Sequence, residues 1–224
     1  MKTLKKLSSV TVIFVTLISL FYGCSKSTSD KTNNTENKNL KTASNKGEKL
    51  NLVLSESKLE WSGKKVTGQH NGTIDIKNGD LYLDNGKLTG GNFDIDFTTI
   101  KVRDIEDPEL NAKLTGHLKS NDFFSAQSFP IGKFEIKSLA PLSNGTENNY
   151  TVSGSLTIKG ITKEITFPAK VMINANSVIA SADFNIDRTL WDIKFRSGKF
   201  FENLGDNLIS DDFNIKFNIS AKQI

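Results

Sequence analysis

From Leu50 onward the apolar side chains fall at every second position, the period of a β-strand that buries one face and wets the other. Phe93, Ile95 and Phe97 alternate with Asp94 and Asp96. The same rule selects Phe134 and Ile136, then Tyr150, Val152, Leu156 and Ile158, then Ile165, Phe167, Ala169, Val171 and Ile173. It continues through Val178, Ala180, Ala182, Phe184 and Ile186, then Trp191, Ile193 and Phe195, and closes with Phe213, Ile215, Phe217 and Ile219. No helical period competes across these segments. Asn78-Gly79, Asn85-Gly86, Asn144-Gly145 and Lys159-Gly160 supply the positive φ that tight hairpins need. With early strands near Lys58 to Trp61, Thr73 to Lys77 and Leu81 to Leu83, the pattern predicts about nine or ten strands joined hairpin to hairpin. An antiparallel sheet this long must curl shut or split into two layers, and closure also removes its edges. The expected fold is all-β.

One segment departs from the period of two. Asp107 suits a helix cap, Pro108 the first helical position, and Leu110, Leu114 and Leu118 share a face at spacing four. Asp107 to about Lys119 is expected to form a single helix lying over the barrel or its mouth.

Charge divides unevenly along the 224 residues. The net +4 comes from the N-terminal part: Lys2, Lys5 and Lys6 face no acid, and residues 24–49 hold six Lys against Asp30, Glu36 and Glu48. That leaves 20 basic and 22 acidic side chains in residues 50–224. The folding part is slightly acidic, so the basic surface that nucleic acid requires is not expected. Met1 to Lys6 reads as a basic n-region and Leu7 to Tyr22 as an apolar h-region about 24 Å long as a helix, short of the ~30 Å hydrocarbon core. The run ends at Gly23-Cys24, the chain's single cysteine, and resembles a bacterial lipoprotein signal whose cleavage leaves Cys24 lipidated. Residues 1–23 are thus expected to be a lipoprotein signal peptide, residues 24–49 a flexible polar tether rich in Ser, Thr, Asn and Lys, and residues 50–224 the barrel domain. The expected location is the bacterial cell envelope, as an exported, membrane-anchored lipoprotein of the outer membrane facing the periplasm or the cell surface.

Catalytic and metal chemistry find little support. One cysteine excludes an internal disulfide framework and a multi-cysteine zinc site, and the two histidines, His70 and His117, stand in no HExxH pattern. Asp104, Glu106 and Asp107 lack calcium-loop spacing, and no nucleophile elbow, dinucleotide fingerprint or P-loop occurs. Neither enzymatic activity, a metal nor a cofactor is expected.

The stretch Gly116-His117-Leu118-Lys119-Ser120-Asn121-Asp122-Phe123-Phe124, followed by Ser128-Phe129-Pro130 and the strand with Phe134, closely resembles the signature of the YceI family. Leu156-Thr157-Ile158-Lys159-Gly160-Ile161-Thr162-Lys163 resembles its "LTI-G-TK" hairpin, and Asn185-Ile186-Asp187-Arg188 with Trp191 its late arginine strand. Trp61-Ser62-Gly63, Gly68 and His70-Asn71-Gly72-Thr73 are similar to the start of envelope members. Arg103-Asp104 departs from the pattern by standing well before His117-Leu118. The resemblance spans about residues 50 to 222 and implies a lipocalin-like closed antiparallel barrel of eight main strands, with an apolar lumen that holds a long isoprenoid chain.

An eight-stranded barrel has room for its own side chains or for one slender ligand. On the isoprenoid reading, the ligand contacts are expected from Trp61, Phe93, Ile95, Phe97, Phe134, Ile136, Leu156, Phe184, Trp191, Phe195 and Phe217, with Gly154, Ala180 and Ala182 as small inward positions. His70, His117 and Arg188 are the candidates for a polar head group, Phe123 and Phe124 for a lid or plug, and Cys24 for the lipid anchor. The partners implied are an isoprenoid lipid, of quinone or prenyl diphosphate type, and a membrane. The alternative is a non-enzymatic envelope interaction module whose barrel is filled by its own side chains.

Overall fold

The computed structural model describes residues 41–142 and 148–223. The strands are β1 (Lys41–Thr42), β2 (Glu48–Leu52), β3 (Lys58–Lys65), β4 (Gly68–Asp84), β5 (Lys87–Val102), β6 (Ile131–Pro141), β7 (Tyr150–Ile158), β8 (Ile161–Asn174), β9 (Ser177–Asp187) and β10 (Ile209–Lys222). From β3 to β10 each strand pairs antiparallel with the next, and β10 pairs back onto β3, closing an eight-stranded ring. β2 occupies the same slot as β3 between β4 and β10, separated from it by a 3-10 turn at Leu54–Glu56. The fold is the all-β closed barrel that the alternation and the resemblance together anticipate. Closure answers the edge groups that an open sheet would leave to solvent or to another chain.

Hairpin chemistry explains much of the path. Asn85 and Gly86 have φ of 51° and 70°, and Lys159 and Gly160 have φ of 51° and 73°, so both pairs form two-residue turns of the hand that suits twisted strands. Asn78-Gly79 does not turn: it lies inside β4 at an irregularity in the ladder to β5, so the two short strands expected there are one. The glycine serves a different purpose, because a Cβ at position 79 would stand 2.5 Å from the Phe93 ring. Asn144-Gly145 lies outside the described residues.

Two further expectations need correction. Trp191, Ile193 and Phe195 are not strand residues: β9 ends at Asp187, whose carboxylate accepts from the Thr189 N–H at 2.9 Å and starts a 3-10 turn over Arg188–Trp191. The expected tether also ends too late. Lys41–Thr42 pairs with Leu139 and Ser138 of β6, the Ala43 N–H donates to Lys137 O at 2.7 Å, and the Ser44 N–H donates to Thr89 O at 2.8 Å. β5 and β6 pair only from Asn92↔Glu135 to Asp96↔Ile131, so this segment fills the seam where they diverge. Residues 41–49 therefore belong to the barrel, and Cys24 and the signal segment lie outside the described residues.

The helix α1 (Pro108–Lys119) forms where expected. The Asp107 carboxylate accepts from the N–H groups of Glu109 and Leu110 at 3.0 and 2.9 Å, answering two donors that the first turn leaves open. Leu118 is buried and Leu114 half-buried, but Leu110 is 57% exposed, so the apolar face covers only the last two turns.

Candidate functional site

The inward-facing side chains form two buried clusters, one toward each end of the barrel. The first contains Leu50, Leu81, Leu83, Leu88, Leu139 and Val178, all on strands. The second contains Trp61, Ile100, Leu118, Phe124, Trp191 and Ile193, several contributed by the segments that cross that end. Between them Ile76, Phe134, Ile165, Phe184 and Phe217 touch both clusters yet are only half-buried. They border a cavity that runs between the two clusters. Every lining residue is apolar. Such a space offers no hydrogen bond to water and suits a hydrocarbon.

The lining follows from strand geometry. Alternate residues of β8 (Ile165, Phe167, Ala169, Val171) and of β10 (Phe213, Ile215, Phe217, Ile219) all face the cavity. Phe167 and Phe184 stack with ring centroids 4.1 Å apart and planes 3° from parallel, and Phe217 meets both edge-on at 6.0 and 6.4 Å. Phe134 adds a fourth ring 5.7 Å from Phe167. That ring takes the place a side chain at Gly154 would need, since a Cβ there would stand 2.5 Å from it. Gly154 thus admits an aromatic rather than opening the lumen.

Eight of the eleven expected contacts line the cavity: Phe93, Ile95, Phe97, Phe134, Ile136, Leu156, Phe184 and Phe217. Three do not. Trp61 lies beneath Gly72, where a Cβ would be 2.8 Å from its ring, and its indole N–H is buried without a partner. Trp191 is fully buried, its Nε1 donating to Leu156 O at 3.1 Å, which ties the 3-10 turn to β7. Phe195 packs outside the lumen, 4.6 Å from the His117 ring and 5.7 Å from Phe123. Of the small positions, Ala180 lines the cavity and Ala182 is buried away from it. Phe167 was absent from the expected contacts although its strand alternation already placed it inward.

The two consecutive phenylalanines separate. Phe124 lines the cavity, stacked 4.7 Å from Phe97 and edge-on to Phe213 at 6.5 Å, so it sits at the end closed by crossing segments. Phe123 faces His117 edge-on at 5.0 Å.

None of the three polar candidates lines the cavity. His70 Nδ1 lies 2.8 Å from Asp104 Oδ2, while Asp104 Oδ1 accepts the Asn71 N–H at 2.9 Å. Burial pushes the Asp104 carboxyl up, but the Asn71 and His70 hydrogen bonds outweigh it and hold the group below the usual carboxylate range. His117 Nε2 is 3.2 Å from Asp122 Oδ2 and braces the turn after α1. Arg188 is the clearest departure from expectation. It is 3% exposed and donates to Ser210 O at 2.9 Å, Ile193 O at 2.7 Å and Ile209 O at 3.1 Å, with Asp211 Oδ1 at 3.5 Å. Its guanidinium locks the 188–211 crossing segment and is not displayed to a ligand. Burial lowers its pKa, with Asp211 and Asp187 acting against that. Its ion pair is with Asp211, and Asp187 pairs instead with Lys199 at 2.6 Å. Among the described residues no group of three or more His, Cys, Asp or Glu side chains is arranged to hold a metal.

Comparison with known proteins agrees with this architecture. A UPF0312 protein of Shewanella denitrificans is 29% identical over 124 residues, covering 55% of this chain and 58% of the relative. A UPF0312 protein of Staphylococcus aureus is 45% identical over 76 residues, 32% of this chain and 40% of the relative. The chain therefore spans about half the length of the curated relatives it matches. Among solved structures, Burkholderia cenocepacia BcnA superimposes with a TM-score of 0.60 at 22% identity over 76% of this chain and 99% of that one. A polyisoprenoid binding domain from Saccharophagus degradans, implicated in plant cell wall breakdown, gives 0.58 at 13% identity over 78% of this chain and 98% of that one. At these identities the likeness is one of fold. The YceI-like domain model matches residues 50–221, from the start of the ring slot shared by β2 and β3 to the end of β10, and with that span the chain belongs to the YceI family.

Proposed function

We propose that this protein binds a long-chain isoprenoid lipid, of quinone or prenyl diphosphate type, in the barrel lumen and serves as a carrier or store in the cell envelope, anchored through a lipidated Cys24. The observation that carries this reading is the barrel cavity with an entirely apolar lining. Its contents would be held by area removed from water, worth about 0.8 kcal/mol per buried CH₂. About three isoprene units contribute roughly 12 kcal/mol gross, of the same order as the 4–15 kcal/mol cost of association, so shorter chains bind weakly and longer ones bind well. With no polar lining, a polar head would lie beyond the cavity, and specificity would rest on the chain. The similarity to a polyisoprenoid binding domain supports the ligand class. The filled-barrel alternative is disfavoured by inward rings, Phe134, Phe184 and Phe217, that border the cavity and stay only half-buried.

Organic extraction of the protein purified from its native envelope, followed by mass spectrometry, tests the reading. A co-purifying prenyl lipid is expected, reduced by Ala180→Phe, which fills part of the cavity while circular dichroism reports an intact barrel. A folded protein that yields no prenyl lipid and takes up none from solution overturns it. Radiolabelled palmitate incorporation, abolished by Cys24→Ser, tests the anchor.

A further inference from the structure

The lumen is not uniform along its length. Phe134 on β6, Phe167 on β8, Phe184 on β9 and Phe217 on β10 meet at mid-height, between the strand-closed cluster and the cluster beneath the crossing segments. Beyond the rings on one side lie small or short side chains such as Ala169, Val171 and Ala180; on the other lie Phe124 and Phe97. Within the stacked pair, Phe167 is buried but Phe184 is half-exposed to the free space. Phe184 therefore has room to turn, while Phe167 is fixed by its neighbours.

Resting on the isoprenoid reading, we infer that Phe184, stacked on Phe167, is a chain-length determinant: its ring sets how far a bound hydrocarbon chain extends along the lumen. The aromatic cluster lies across the path such a chain must take from one buried end to the other. Rings in edge and stacked contact hold one another in place, so a chain passing them must displace the one ring that borders free space. Removing it merges the two regions; enlarging it separates them further.

Phe184→Ala removes the phenyl ring, whose six carbons match about one isoprene unit in bulk. The full chain, purified and stripped of lipid, is offered an equimolar mixture of prenyl alcohols from about three to about seven units, and native mass spectrometry reads the mass of each adduct. The length of greatest occupancy is expected to rise by about one unit in Phe184→Ala and to fall by about one in Phe184→Trp, relative to the unaltered protein. If Phe184→Ala fails to fold, Phe184→Leu carries the test, with a smaller upward shift expected. Prenyl adducts whose length distribution is the same in all folded variants overturn the gauge and leave isoprenoid binding standing. An unaltered protein that forms no prenyl adduct overturns both.

Discussion

The two ends of the barrel are closed by different means. At the end near the β4–β5 hairpin, Leu50, Leu83, Leu88, Leu139 and Val178 meet as strand side chains, each held by the ladder that places it. At the other, closure is delegated to segments that leave the sheet: α1 and the turn after it bring Leu118 and Phe124, and the 188–208 stretch brings Trp191 and Ile193. These segments lack a ladder, so their backbone groups need other partners, and polar side chains provide them: Arg188 for three carbonyls, Asp107 for a helix start, Asp104 for an N–H and a histidine. One end is held by area removed from water together with sheet hydrogen bonds. The other depends additionally on a few polar contacts, buried at Arg188 and solvent-exposed at Asp104 and Asp107, and the buried ones are a single point of failure.

That contrast can be broken most sharply at Arg188. Arg188→Ala strands three carbonyls and leaves Asp211 only Lys199, at 3.6 Å, and urea denaturation is expected to show a loss of about 3–5 kcal/mol. The variant should retain prenyl occupancy in whatever fraction stays folded, because the guanidinium does not face the cavity; a folded Arg188 variant that loses its ligand would restore the head-group role. Phe124→Ala comes next, at about 3 kcal/mol by the same measurement, with faster exchange of a bound prenyl chain at the end it closes. Leu83→Ala, a comparable truncation at the strand-closed end, should destabilise without accelerating exchange, and equal acceleration would erase the distinction between the ends.

Acid should also act on the two ends unequally. Burial raises the Asp187 carboxyl, but hydrogen bonds from Lys199 and Thr189 prevail and hold it below the usual range, as Asn71 and His70 do for Asp104. A folded-state pKa below the unfolded value means that the unfolded chain takes up protons first. The stabilisation is therefore complete above about pH 4 and disappears as pH falls through the depressed folded values. Thermal melts between pH 6 and strongly acid solution should show that loss, attenuated when Asp104 and Asp187 are both replaced by Asn; an unchanged acid limb would assign the loss elsewhere. The smallest effect is expected from Leu110→Ala, within about 0.5 kcal/mol, because that face of α1 meets solvent.

The same division governs what could be read before any coordinates. Alternation located the inward faces of β5 to β10 because one period fixes many side chains at once, and eight expected contacts reach the cavity for that reason. It misplaced Trp191 and Phe195, since a short run spaced by two is also compatible with a 3-10 turn and an irregular loop. Arg188 reads in sequence as a charge seeking an anion, because nothing local reveals three carbonyls arriving from Ile193, Ile209 and Ser210. Asn78-Gly79 carries turn chemistry, yet the Phe93 ring on the neighbouring strand decides its use. The Lys-rich composition of residues 41–49 gave no sign that a gap between β5 and β6 would recruit them.

That recruitment has a practical consequence. A shortened protein cut at the family boundary, residue 50, would lose β1 and the first two residues of β2 and leave Lys137 O, Thr89 O and the outer side of β6 near Leu139 without their partners. Unanswered backbone groups beside an apolar interior form a template for a second molecule's strand. Preparations that begin at Lys41 or earlier should stay monodisperse where trimmed ones self-associate, so a boundary drawn by similarity alone would create an adhesive surface that the intact chain conceals.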